Sequence, residues 1–85
     1  LLFALAKEWE KHDSQKAIEY YLQLKSAAPE YLALYYHLGQ LYYDLDLNEQ
    51  AKDMLKAGLK IAKQQKDKKT EGELQQLLLN VELTG

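Results

Sequence analysis

The sequence predicts an all-α fold of five helices, and three observations carry that prediction. Only Pro29 and four glycines interrupt 85 residues rich in Leu, Ala, Lys, Glu and Gln, which favour helix. No stretch alternates with period two for long enough to argue a strand. Apolar and small residues recur instead at 0, 3, 4 and 7, as Tyr35, Leu38, Gly39 and Tyr42, and again as Leu74, Leu77, Leu78 and Val81.

The elements follow from local start and stop signals. Residues 1–11 form the first helix. His12-Asp13 turns the chain, and Asp13 or Ser14 is the expected N-cap of a second helix reaching about Ala27. Pro29 is expected to open a third, because its missing N–H is harmless in a first turn. That helix runs to about Asp44. Leu45-Asp46-Leu47 makes the next turn, and Asn48 is the expected cap of a fourth helix lasting to about Gln65. Lys66-Asp67-Lys68-Lys69 reads as a charged loop. Thr70-Glu71-Gly72-Glu73 has the Thr-x-x-Glu form of a capping box, which opens a fifth helix through about Leu83. Loops this short force antiparallel neighbours.

The faces of helices three and four are matched in size. Gly39 weakens a helix interior by about 1 kcal/mol relative to Ala, so it needs a packing reason. Ala51, Leu55, Gly58 and Ala62 form a facing stripe of small residues around one Leu. Small against large lets two helices approach without voids.

Composition excludes several functions. Eighty-five residues make one domain at most, and there is no cysteine for a disulfide or thiolate site. The net charge is −2 with both signs interspersed, so nucleic-acid binding is not expected. Lys52, Lys56, Lys60 and Lys63, followed by Lys66, Lys68 and Lys69, read as a solvated outer face, with a stripe for RNA or an anionic membrane surface as the alternative. No apolar run approaches the ~18 residues of a membrane span, and no signal-peptide pattern is present. The expected location is therefore cytoplasmic. The chain opens on Leu1, not Met, which points to residues upstream that carry any targeting segment. His12 and His37 have no second ligand at a metal-like spacing, and no catalytic triad or Gly-rich phosphate loop can be assembled. No metal, no cofactor and no enzymatic activity are expected.

Ala51 and Leu55 follow nine and thirteen residues after Tyr42, so Tyr35 to Leu55 has the shape Trp-x2-Leu-Gly-x2-Tyr…Ala-x3-Phe, with Tyr and Leu replacing Trp and Phe. This is the signature of a 34-residue helix–turn–helix unit, and the sequence resembles the tetratricopeptide repeat (TPR) family. One period earlier stand Ala17 and Tyr21, followed by Pro29. The first helix departs by one residue, with Leu5, Ala6 and Trp9 in the Leu-Gly-x2-Tyr places, as if the His12-Asp13 turn were a residue short. After the second unit Lys63 replaces the family's proline, and Leu78 fills the Gly place of the fifth helix.

The resemblance implies a right-handed α-solenoid like the small stand-alone TPR proteins of bacteria. It comprises a repeat over 1–29, a second over 30–66 and a capping helix over 70–83. It also implies a non-catalytic module that binds a peptide or protein segment in its concave groove. First helices line that groove in the family, which places Phe3, Lys7 and Glu10 there, with Tyr36, Gln40, Tyr43 and Asp44, and Gln75, Leu79 and Glu82. The terminal-carboxylate clamp of one family branch is absent, since Ala33, Tyr36, His37 and Gln40 stand at the matching places.

A structural role in self-assembly is the alternative. Arrays of this kind gain stability by stacking neighbours, and about three units are usual. Leu1-Leu2-Phe3-Ala4-Leu5-Ala6 is apolar all round, so Leu1, Leu2 and Leu5 are the expected contacts of a homodimer.

Overall fold

In the computed structural model, which describes residues 1–84, five α-helices follow one another. They are α1 Leu2–Trp9, α2 Ser14–Ala27, α3 Leu32–Asp44, α4 Asn48–Gln65 and α5 Lys68–Thr84. α1 pairs with α2 and α3 with α4 as antiparallel hairpins, and α5 lies against both α4 and α3. One apolar core threads the whole stack, from Ala6 through Tyr21, Tyr35, Leu38 and Leu55 to Leu74 and Val81.

Two glycines set the separation of α3 and α4. A Cβ on Gly39 would lie 2.6 Å from Leu55 Cδ2, and one on Gly58 would lie 2.6 Å from Tyr35 Cβ. Each helix therefore receives the other's large side chain where it has none of its own. The size matching read from the sequence is the actual contact.

Four junctions differ from the sequence expectation. α1 stops at Trp9 and not at residue 11, because the N–H groups of His12 and Asp13 both turn back to the Trp9 carbonyl, at 2.9 and 2.8 Å. Asp13 then caps α2 as expected, accepting from the backbone of Gln15 at 3.0 Å and Lys16 at 3.3 Å. α3 begins at Leu32, three residues after Pro29. Proline pushes the residue before it out of the helical region, and Ala28 accordingly lies outside it at φ −144° and ψ 71°. Pro29 thus ends α2 and takes the second place of a turn closed by Tyr31 N–H to the Ala28 carbonyl at 3.0 Å.

Asn48 does not cap α4. The Leu47 N–H is drawn to the Tyr42 carbonyl at 2.9 Å, which leaves Leu47 in the non-helical cap position and Asn48 inside the helix. Its Oδ1 is buried without a partner.

The fourth difference is at the start of α5. Asp67, not Thr70, is the cap, and its carboxylate accepts the Thr70 N–H at 3.0 Å and the Thr70 hydroxyl at 2.9 Å. The expected Thr70–Glu73 capping box gives way to this earlier one, and the loop shrinks to Lys66-Asp67. Lys66 ends α4 in the left-handed region at φ 59°, with the Asp67 N–H reaching the Ala62 carbonyl at 3.0 Å. A two-residue connection holds α5 close to α4 and parallel to α3.

Candidate functional site

Because α3 and α5 run side by side in the same direction, their facing flanks enclose an open cleft of about 450 Å³. Tyr36 and Gln40 line it from α3. Lys69, Gly72, Glu73, Gln76, Leu77 and Asn80 line it from α5. The α5 residues recur at three- and four-residue steps, as one flank of a helix must. Tyr43 marks the far end, where its hydroxyl donates to Thr84 Oγ1, which in turn donates to the Asn80 carbonyl at 2.8 Å.

The chemistry of the lining is amphipathic. Tyr36 is half-buried, and Leu77 supplies an apolar floor. Gln40, Gln76 and Asn80 each carry both a donor and an acceptor. Gln40 Nε2 donates to Asp44 Oδ1 at 2.9 Å, and Gln76 Nε2 to Asn80 Oδ1 at 3.3 Å; both bonds are solvent-exposed. Such bonds exchange for a ligand's with little penalty.

Of the expected groove residues, the cleft brings together Tyr36 and Gln40, with Tyr43 at its end. Gln75 and Leu79 are exposed on the opposite flank of α5 and do not line it. The reason is geometric. Equivalent positions on two parallel helices point the same way, whereas a cleft between them is walled by opposite flanks. The repeat pattern therefore carried Tyr36 onto Gln75, while the neighbour across the cleft is Gln76. One sequence signal did mark the right flank. Among the described glycines, Gly72 alone has no packing partner in the core.

The α1 residues sit elsewhere. Phe3 is inserted edge-on among Tyr21, Tyr31 and His37, with ring centroids 6.2, 5.5 and 5.2 Å away. Lys7 Nζ lies over the Phe3 ring at 5.9 Å, and Glu10 accepts a hydrogen bond from the Tyr21 hydroxyl. Phe3 and Glu10 thus serve the joint between α1, α2 and α3. His37 links that joint to the cleft, because its ring meets Tyr36 edge-on at 5.8 Å. Burial first, and then the Lys7 charge, push the His37 imidazole below its ordinary pKa, with Glu10 opposing. Burial, reinforced by Glu10, pushes the Tyr21 phenol up.

No protein-family model and no curated protein matches the chain. Solved structures do. The solution NMR structure of a tetratricopeptide repeat domain protein from Salinibacter ruber superposes with a TM-score of 0.92 at 36% identity, covering 98% of this chain and 85% of that one. The crystal structure of a tetratricopeptide repeat domain protein from the same organism gives 0.88 at 36% identity, covering 98% and 93%. The chain belongs to the tetratricopeptide repeat family.

As a TPR domain it is a protein–protein interaction module. Its two hairpins and capping helix keep the family's stacking over nearly the whole matched length. Among the described residues, no three His, Cys, Asp or Glu side chains are grouped so as to hold a metal ion. No described helix is long and apolar enough to cross a membrane.

Proposed function

We propose that this TPR domain binds an extended segment of a partner protein in the cleft between α3 and α5. Gly72 carries this reading. It lies inside α5, where glycine weakens a helix by about 1 kcal/mol relative to Ala. A Cβ there would meet nothing within 4 Å, so the fold has no use for its absence. Gly39 and Gly58, by contrast, are each explained by a close helix contact. Bare backbone on the wall of an open cleft lets another chain approach closely. Tyr36 supplies an aromatic anchor beside it, and the three carboxamides address the backbone of the guest.

Affinity capture from the native organism tests this, using wild type beside Tyr36→Ala and Gly72→Leu. Leu is a good helix former and points into the cleft, so Gly72→Leu blocks the site while the fold stands. Loss of the same partner from both variants is expected. Identical capture lists would remove the cleft as the binding surface.

Self-association through α1 is the second reading, and exposed leucine supports it. Leu5 on α1 and Leu22 on α2 are each 43% exposed. Leu2 is half-buried against the hairpin, so Leu5 is the cleaner residue to alter. Size-exclusion chromatography with light scattering should show a dimer that Leu5→Glu dissociates. A monomer at high micromolar concentration ends this reading.

A further inference from the structure

The charge of the chain is divided unevenly. Seven of its eleven lysines lie between residues 52 and 69 with only Asp53 and Asp67 against them, which leaves that stretch at +5 and the remainder at −7. In the structure Lys56, Lys60 and Lys63 share one exposed flank of α4, and Lys66, Lys68 and Lys69 continue it around the α4–α5 corner, all six exposed. Among the described residues none of these six lies within ion-pair distance of a carboxylate; the ion pairs of the domain are formed by Lys11, His12 and Lys52. Asp67, the acid inside the corner, spends its carboxylate on Thr70.

Helix electrostatics accounts for only part of this. Lys63 at the end of α4 is favourably placed against the helix dipole. Lys68 and Lys69 occupy the first turn of α5, where the dipole disfavours cations. Lys66 stands at a left-handed position that glycine or asparagine fills more readily. Three lysines thus hold positions that local rules assign to other residues, and together they concentrate positive charge at one corner.

We infer that this lysine row is a second interaction surface, which docks a short acidic segment of a protein partner. Charge complementarity favours that guest over other polyanions. A long nucleic acid would run from the +5 row onto a surface of −7, and the row has neither arginine nor an aromatic ring to stack a base. A membrane surface calls for apolar residues beside the cations, and the Lys56–Lys63 flank presents none. From Lys56 to Lys63 the row spans about 10 Å of helix, the reach of a few extended residues. Lys69 also lines the cleft, so the corner adjoins that site without depending on it.

Fluorescence anisotropy with a labelled oligo-glutamate peptide, beside oligo-uridine RNA and phosphatidylserine vesicles at low salt, tests the inference. The peptide should bind, weakening about tenfold in Lys60→Glu/Lys63→Glu and falling with added salt. Lys11→Glu/Lys16→Glu, on exposed lysines outside the row, should leave binding unchanged. Circular dichroism confirms that each variant is folded. Absence of peptide binding, equal loss in the Lys11/Lys16 variant, or tighter binding of the RNA or vesicles would each overturn it.

Discussion

Gly58 and Tyr35 are in such close apposition that a methyl group on the glycine would stand 2.6 Å from the tyrosine Cβ and 3.2 Å from Leu74 Cδ1. The obstacle is the base of a buried side chain fixed to the α3 backbone. Gly58→Ala should therefore force α4 away from both α3 and α5, and cost about 2–3 kcal/mol in urea denaturation. At Gly39 the obstacle is the tip and branch point of Leu55, which can turn, so Gly39→Ala should cost less. Gly72→Ala meets nothing and should stabilise by about 0.5–1 kcal/mol. An order other than Gly58, Gly39, Gly72 from most to least damaging would contradict the packing described here.

The Tyr43–Thr84 hydrogen bond joins the last turn of α5 to α3. Tyr43→Phe should speed amide hydrogen exchange in the C-terminal turn of α5 while leaving α3 and α4 protected. Partner capture by the cleft should survive this change, unlike the loss expected from Tyr36→Ala.

His37 makes stability depend on pH. Its folded pKa is lowered from 6.5 by burial and by Lys7, so the unfolded chain takes up the proton more readily. The contribution is complete above about pH 6.5 and is lost as pH falls through the lower folded value. The urea midpoint should drop between pH 7 and about pH 5. His37→Phe should flatten that slope, and Lys7→Gln should reduce it. A slope unchanged in both would exclude His37 as its source.

Asp67 acts in a more acid window. The Thr70 backbone and then its hydroxyl hold the carboxyl below its ordinary 3.8, with the Lys69 charge assisting. Its contribution is present above that value and lost as pH falls through the folded pKa. Asp67→Asn keeps a capping side chain but cannot titrate, so it should retain helicity at neutral pH while reducing the acid-induced loss. Asp67→Ala should lower helicity of α5 at neutral pH, read by circular dichroism.

The sequence was most legible where one helix meets another across a repeating face. Tyr35, Leu38, Gly39, Ala51 and Leu55 are placed by spacing alone, because a 3.6-residue period fixes which side chains share a face. The family pattern then named the stacking, and the Salinibacter ruber structures bear it out. Caps were less legible, because Asn48 and Thr70 each have cap chemistry but Leu47 and Asp67 hold the cap geometry. A residue's suitability as a cap does not say where the chain will bend.

The sequence by itself determined the five helices, their antiparallel hairpins and the residues that hold them together. These follow from periodicity and short loops, which are local properties of the chain. Only the tertiary structure decided which flank of α5 faces α3, replacing Gln75 and Leu79 with Gly72, Gln76 and Asn80 as the cleft wall. It also moved Phe3 from the groove into an aromatic joint. The physical reason is common to both. A helix's buried face is written in its own spacing, but what each exposed flank confronts depends on where the neighbouring helix lies.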